Sequence, residues 1–128
     1  MYDIYYAHHR WKYNTKVEDY EYELIKRYFP KARIFDPSVD LNTHGLTEPE
    51  IMDLCLKTVR NTDILVFSSM DGVIGTGVYH EVEEAQNTGK LVLYIFHNKL
   101  NTNFEITRWY MLPGDNDRLY ATVNIKED

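Results

Sequence analysis

Several features of common protein classes are missing from this 128-residue sequence. It contains one cysteine, Cys55, which excludes an internal disulfide framework and any zinc site built from several cysteines. Its apolar runs, such as residues 64–67 and 91–96, are far shorter than the roughly 20 residues that a membrane-spanning helix needs. The N-terminus lacks the pattern of a secretory signal. These absences predict a soluble, cytoplasmic protein with no membrane partner.

Positive charge is also scarce, with 14 Lys and Arg residues against 20 Asp and Glu, a formal net charge of -6. Such a chain has no broad basic field for the phosphates of polymeric nucleic acid, which is therefore not an expected partner. Apolar residues, in contrast, are plentiful: 44% of the chain is hydrophobic, with 11 Tyr, 5 Phe and 2 Trp. Their burial can offset the entropy of ordering the chain, so we expect a folded protein. The length predicts one domain over residues 1–128.

Short apolar runs recur along the chain and predict the strands of a sheet. The predicted strands are residues 4–7, 32–35, 64–67, 91–96 and 119–123. Two of these runs, 64–67 and 91–96, show no polar alternation, which indicates strands covered on both faces, as in parallel sheets. With helices between them, the strands predict an α/β protein: a single-domain, three-layer fold with a five-stranded parallel sheet, similar to flavodoxin or Rossmann folds.

Four helices are predicted between the strands. The first begins at Thr15 and ends before Pro30. Its apolar residues follow a helical period, namely Val17, Tyr20, Leu24 and Tyr28. The second begins at Thr47, which has Glu50 at the spacing of a capping box. The third follows Gly75, and a short fourth helix is predicted at residues 104–111.

Ligands of an open α/β sheet bind beyond the carboxyl ends of its strands, where helix N-termini also point. The richest segment at this edge is residues 68–81, where Gly72, Gly75 and Gly77 would let a ligand approach the backbone. Asp71 and Glu81 bracket these glycines. Cleaving a glycosidic C–N bond builds oxocarbenium character that one carboxylate can capture, while a second group serves the leaving base. The two carboxylates are therefore candidate catalytic residues, with an acidic pair on a solvated surface as the alternative.

Two stretches of the sequence carry a family pattern over most of residues 3–96. They are IYYAHHRW and TDILVFSSMDGVIGTGVYHEVEEAQNTGKLVLYI. The matching features are Tyr5-Tyr6, Asp63, Gly75 and Gly77, Glu81, Ala85 and Gly89-Lys90. In this order and spacing the chain resembles the nucleoside 2-deoxyribosyltransferase-like superfamily, which includes 2'-deoxynucleoside 5'-phosphate N-hydrolases.

The resemblance implies a nucleoside deoxyribosyltransferase-like domain that cleaves the N-glycosidic bond of a 2'-deoxynucleoside or its 5'-monophosphate. It implies that Glu81 is the nucleophile that attacks C1' of the deoxyribose. Transfer to another base or to water would then resolve the covalent intermediate. It further implies that Asp71 stands near the sugar hydroxyls or the base. No metal or organic cofactor is implied.

The resemblance also implies how the rest of the substrate is held. The glycine loop of Gly75 and Gly77, with Arg10 or the hydroxyl of Thr76, would bind a 5'-phosphate or a 5'-hydroxyl. Members of the superfamily complete their sites with a residue from a neighbouring subunit, and Asn103 is the candidate in this chain. A homodimer or a higher homo-oligomer is therefore expected.

Further candidates follow from position alone. Tyr6 and Tyr79 lie near the expected site and can stack on a base. His9 follows the first strand, next to His8, and can contact a phosphate or a base. Because adjacent histidines are a poor chelating pair, no metal site is expected there.

The chain departs from the superfamily pattern in two ways. Cys55 stands where an Asp is usual, and the turn before Glu81 is two residues longer. The cysteine favours an alternative function, a nucleotide-binding module that has lost turnover. A third possibility is a hydrolase of another ribosyl ligand, such as NAD.

Overall fold

The computed structural model describes residues 1–109 and 118–126 of the chain. A turn of 3-10 helix at Arg10–Lys12 follows the first strand. The other elements run in the order β1 (Asp3–Ala7), α1 (Lys16–Tyr28), β2 (Arg33–Phe35), α2 (Pro37–Asp40), α3 (Glu48–Arg60), β3 (Ile64–Phe67), β4 (Val73–Gly75), α4 (Thr76–Asn87), β5 (Leu91–Phe96), β6 (Lys99–Asn101), β7 (Phe104–Arg108) and β8 (Leu119–Ile125).

The central sheet has five strands in the order β2-β1-β3-β5-β6. Strands β2, β1, β3 and β5 are parallel, and β6 returns antiparallel to β5. This order corresponds to the flavodoxin-like arrangement of doubly wound sheets. The predicted α/β class is therefore confirmed. The predicted all-parallel sheet is wrong at its edge, because the fifth strand reaches β5 through a short hairpin rather than a crossover helix.

A second sheet, in the order β4-β8-β7, is antiparallel. It contains the predicted strand at 119–123, which we had expected in the central sheet. The short helix predicted at 104–111 is wrong over β7, and residues 110 and 111 lie outside the described ranges. Phe104 and Ile106 pack against the core, whereas Glu105 and Thr107 are exposed, which is the period of a strand.

Helices cover both faces of the central sheet. On one face α1 contributes Ile25 to an apolar cluster with Ile4, Tyr6, Ile64, Val66 and Leu93. On the other face α3 and α4 contribute Cys55, Val59, Val78, Val82 and Ala85 to a cluster with Tyr5, Ala7, Leu65 and Phe67. Ala121 and Val123 of the second sheet belong to this second cluster. Because successive strand residues point to opposite faces, Tyr5 and Tyr6 lie on opposite sides of the sheet.

Helix α1 begins after Thr15, as predicted, and the Thr15 hydroxyl accepts a hydrogen bond from the Glu18 backbone N–H. Its buried face is only partly apolar. Val17, Tyr20 and Tyr28 are each about half exposed, whereas Glu18 and Glu21 are buried with Leu24 and Ile25. Partners from another part of the chain hold the two glutamates, and tertiary contacts therefore override the apolar period of this helix.

Helices α3 and α4 begin where the sequence indicates, whereas the short α2 was not predicted. Thr47 and Glu50 form the predicted capping box of α3, with the Glu50 carboxylate 3.0 Å from the Thr47 backbone nitrogen. Gly75 is the N-cap of α4, and the chain leaves that helix through Gly89, at a φ of 74° that glycine tolerates. Among the helices of the described ranges, none has the length and the apolar composition that crossing a membrane requires.

Candidate active site

A cavity of about 340 Å³ opens at the carboxyl edge of the central sheet. Its walls come from the segment after β1, from α2 and the loop that follows it, from α3, and from the first turns of α4. The residues that bear on its chemistry are His9, Arg10, Tyr13, Cys55, Gly77 and Glu81. This edge is where the doubly wound sheet was expected to bind a ligand.

Glu81 projects into this cavity from the second turn of α4. The residue is only 5% exposed, and its carboxylate accepts a hydrogen bond from the hydroxyl of Tyr5. Burial raises the pKa of Glu81 to about 7, although hydrogen bonds from Tyr5 and from the Cys55 thiol act to lower it. Near neutral pH the carboxyl group therefore exchanges between its acid form and its nucleophilic anion.

Cys55 reaches the cavity from α3. Burial, followed by the nearby charge of Glu81, raises the pKa of its thiol to about 12. At neutral pH the sulfur keeps its proton and can donate to the Glu81 carboxylate. A thiol in this form is a poor nucleophile, so what Cys55 contributes to the site is its hydrogen bond to Glu81.

Tyr13 forms the side of the cavity nearest to β1. Its ring packs against the ring of His8, with the centroids 5.0 Å apart. Burial raises the pKa of Tyr13, and the charge of Glu81 adds to this shift. The phenol therefore stays neutral and offers a ligand a hydroxyl that can donate or accept.

An ion pair lies at the mouth of the cavity. The Arg10 guanidinium is 3.3 Å from the Glu48 carboxylate, and both side chains are about half exposed. Exposed pairs of this kind contribute little stability. The guanidinium of Arg10 is therefore a positively charged group at the mouth of the cavity, where it can contact an anionic group of a ligand.

Four of the predicted site residues line the cavity: Glu81, His9, Arg10 and Gly77. Gly75 lies just behind it. A Cβ atom at position 75 would lie 2.9 Å from Cδ2 of His9 and 3.1 Å from the Arg118 carbonyl. Gly75 is therefore needed for the packing of His9, a role different from the expected contact with the ligand.

The structure places the other predicted residues elsewhere. Asp71 is exposed in a turn, with a φ of 52°, and does not line the cavity. Tyr6 points to the opposite face of the sheet, where its hydroxyl lies 2.5 Å from Glu21. Thr76 directs its hydroxyl at the Arg118 carbonyl, at 3.3 Å. Asn103 donates to the Lys126 carbonyl at 3.0 Å, in the second sheet.

Sequence reasoning missed Tyr5 and Tyr13 as site residues. Tyr5 belongs to the family pattern, but only the register of β1 shows that Tyr5, and not Tyr6, faces Glu81.

Tyr79 packs against Tyr120, with ring centroids 5.2 Å apart, and does not line the cavity. In the described ranges, the group of side chains able to hold a metal ion is His8, Glu18 and Asp36, which does not include Glu81.

Comparisons with known proteins found no protein-family model that matches this sequence, and no significant match among curated proteins. The resemblance to the nucleoside 2-deoxyribosyltransferase-like superfamily therefore stays a prediction. The functional argument consequently depends on the cavity itself. A buried carboxyl group in a ligand-sized cavity can serve as a nucleophile toward an electrophilic carbon, with a neutral phenol and a half-exposed guanidinium to position the rest of the molecule.

Proposed function

We propose that this protein cleaves the N-glycosidic bond of a 2'-deoxynucleoside or its 5'-monophosphate through a covalent intermediate on Glu81. The observation that carries the proposal is the state of that carboxyl group. Glu81 is buried in the cavity, accepts a hydrogen bond from Tyr5, and forms no ion pair with any Lys or Arg of the described ranges. A purely structural buried carboxylate would be expected to have such a partner.

The proposed reaction uses Glu81 as its nucleophile. A carboxylate oxygen of Glu81 forms a bond to C1' as the bond from C1' to the base nitrogen breaks. The base leaves with the electron pair of that bond and takes up a proton. Water or a second base then attacks C1', which releases the carboxylate and completes hydrolysis or transfer. Tyr5 is a positioning residue that orients the carboxylate by its hydrogen bond.

The remaining walls suit the other parts of such a substrate. A volume of about 340 Å³ lies in the range of small-molecule sites, roughly 300–1,000 Å³. Leu41, Ile51 and Met52 provide an apolar wall for a base. Arg10 at the mouth can exchange Glu48 for a 5'-phosphate. The hydroxyl of Tyr13 can bind the sugar.

The test is a substrate panel. Purified protein is incubated with deoxynucleosides and their 5'-monophosphates, with and without a free acceptor base, and the products are separated by chromatography. Free base without acceptor indicates a hydrolase, and base exchange that needs the acceptor indicates a transferase. We expect Glu81→Ala to abolish base release while nucleotide affinity stays within about tenfold of the wild type.

The matched control is Glu83→Ala, which removes an exposed carboxylate from the same helix. It should leave the rate of base release unchanged. Normal turnover by Glu81→Ala would rule out the covalent intermediate on this residue.

One observation favours a second function, a nucleotide-binding module without turnover. Cys55 lies beside Glu81, and its protonated thiol offers no negative charge to the reacting centre. In that case a nucleotide raises the melting temperature of the protein, but neither hydrolysis nor base exchange occurs in the panel.

We also propose a homo-oligomer in which Asn103 of one subunit approaches the cavity of another. The support is its position: Asn103 is exposed at the start of the second sheet and does not line the cavity of its own chain. Size-exclusion chromatography with light scattering should give a mass of at least twice 15.2 kDa. A monomer alone would remove the shared site.

A further inference from the structure

We propose that His8, Glu18 and Asp36 bind one divalent first-row metal ion, such as Zn²⁺ or Mn²⁺, beside the candidate active site. His8 follows β1, Glu18 lies in the first turn of α1, and Asp36 follows β2. Each offers one ligand atom, and these atoms lie within 4.8 Å of one another. All three residues are buried, at 4%, 5% and 5% exposure. The inference does not depend on the proposed function.

The hydrogen bonds of His8 orient its ring for metal binding. Its Nδ1 atom is 3.1 Å from the Tyr6 carbonyl oxygen, which can only accept, so Nδ1 carries a proton. The other ring nitrogen, Nε2, faces the two carboxylates: it lies at hydrogen-bond distance from Glu18, 2.6 Å, and 3.7 Å from Asp36. An ion bound here would take the place of the proton between Nε2 and Glu18. A carbonyl that holds one ring nitrogen while the other faces the ion is the usual support of a histidine ligand.

The charges at this cluster suit a divalent cation. Two buried carboxylates that face one imidazole repel each other unless positive charge lies between them. Among the described residues, no Lys or Arg is paired with Glu18 or Asp36, and the buried Lys12 ammonium is 2.9 Å from Glu21 instead. A divalent ion would compensate the charges of both Glu18 and Asp36.

The carboxylates are also held in place before any ion binds. The second oxygen of Glu18, Oε1, accepts a hydrogen bond from the Asn14 backbone N–H at 3.1 Å. The Oδ1 atom of Asp36, which faces His8, accepts hydrogen bonds from the backbone N–H and the hydroxyl of Ser38, at 2.9 and 2.7 Å. One imidazole with two carboxylates is a donor set that suits Zn²⁺, Mn²⁺ or Fe²⁺ better than Mg²⁺ or Ca²⁺, which prefer oxygen ligands alone.

The ion would support a wall of the cavity. Pro37 and Ser38 of α2 line the cavity directly after Asp36, and His8 lines it as well. A metal ion joining β1, α1 and the start of α2 would therefore hold this wall against the sheet. Glu81 is not part of the cluster, so the ion would have a structural role.

The test measures ion binding by the full chain. Protein treated with a chelator and dialysed is titrated with ZnCl₂, MnCl₂ and MgCl₂ by calorimetry, and its melting temperature is recorded with each salt. We expect one Zn²⁺ or Mn²⁺ per chain, a rise in melting temperature, and little response to Mg²⁺. His8→Gln and Glu18→Gln should each weaken binding by more than about tenfold.

The matched control is His80→Gln. His80 lies 3.8 Å from Glu83 on α4, a partly exposed pair that can attract zinc without a built site. The control should bind like the wild type. The proposal is overturned if no ion binds, or if binding survives in both cluster variants. It is equally overturned if His80→Gln abolishes binding.

A second measurement avoids reliance on variants that fail to fold. The wild-type protein is loaded with Co²⁺, and X-ray absorption fine structure is recorded at the metal. One imidazole with oxygen ligands supports the site, whereas oxygen alone or several imidazoles overturns it. In NMR spectra recorded with excess Zn²⁺, a His8 ring that keeps protons on both nitrogens would show that no metal ion binds Nε2. That result would also overturn the proposal.

Discussion

Tyr5 and Tyr6 are neighbours on β1, and each donates its hydroxyl to a buried glutamate, on opposite faces of the sheet. On the face covered by α1, Tyr6 and Ser68 both contact Glu21, and the Lys12 ammonium is 2.9 Å from the same carboxylate. Lys12 also donates to Ser68 and to the Ser69 carbonyl, so every polar group of this network has a partner.

On the face covered by α3 and α4, the pair of Tyr5 and Glu81 lies in different surroundings. The carboxyl group has neutral partners, Tyr5 and Cys55, and it borders the cavity. Its pKa is raised to about 7 by burial. The same two residue types therefore form a compensated structural network on one face and a chemically available group on the other. The two glutamates differ in two respects. Glu21 has the Lys12 ammonium as its counter-charge, whereas Glu81 has neutral partners and borders the cavity.

Removing Lys12 should have the largest effect. In Lys12→Met the carboxylate of Glu21 stays buried without its cation, and we expect the free energy of unfolding to fall by about 3–5 kcal/mol. Urea denaturation at pH 7 measures this change. A loss below about 1 kcal/mol would contradict the view that the network is structural.

Removing the charge of Glu81 should raise the free energy of unfolding above neutral pH, which is the opposite of the effect expected for Lys12→Met. The folded-state pKa is raised above the unfolded value, so this residue's contribution is fully favourable below the unfolded pKa and is lost as the pH rises through about 7. At pH 8 the native state holds a buried carboxylate, and Glu81→Gln should stabilise it by about 1–3 kcal/mol. At pH 5 the gain should largely vanish. Thermal unfolding at both values tests the difference, and a destabilised variant at pH 8 would contradict it.

Replacing Tyr5 and Tyr6 by phenylalanine, one at a time, should show that only the face of the sheet that holds Glu81 affects activity. Tyr5→Phe removes a hydrogen bond that orients Glu81, and we expect base release to slow by about 10–100-fold. The same change should move the pH profile to higher pH, because that bond lowers the pKa of Glu81. Tyr6→Phe should cost about 1–2 kcal/mol of stability and leave the profile unchanged. Equal effects on activity would remove the distinction between the faces.

The smallest predicted effect is the pH dependence of the wild-type protein. The nucleophile must be ionised, so kcat/KM for base release should rise by about tenfold between pH 6 and pH 8, around the pKa of about 7. The rate is measured under substrate-limiting conditions, with circular dichroism to confirm folding at each pH. A rate that falls over this range would contradict a carboxylate nucleophile.

Part of this structure could be predicted because its signals are local. The apolar runs at 64–67 and 91–96 form strands, and Thr47 and Glu50 form the predicted capping box. Glu81 lies in the cavity because α4 begins where the glycine turn indicates. In each case the decisive residues lie within a few positions of one another.

Other parts depend on partners that are distant in the sequence. Phe104 and Ile106 belong to a strand because β8 pairs with them across residues that are not near neighbours in the chain. Asp71 was expected beside Glu81, but the turn at Met70 and Val73 leaves it exposed. The assignment of one domain over residues 1–128 and of the superfamily function stays a prediction.

The sequence by itself determined the helix caps, the parallel strands of the sheet and the edge at which the candidate cavity opens, because short-range patterns specify all three. Only the tertiary structure decided that Tyr5 rather than Tyr6 meets Glu81, since the register of β1 assigns alternate residues to opposite faces. It also decided that α1 turns Glu18 and Glu21 inward. Their partners, His8 and Lys12, lie before the helix and reach them only when β1 and α1 pack together.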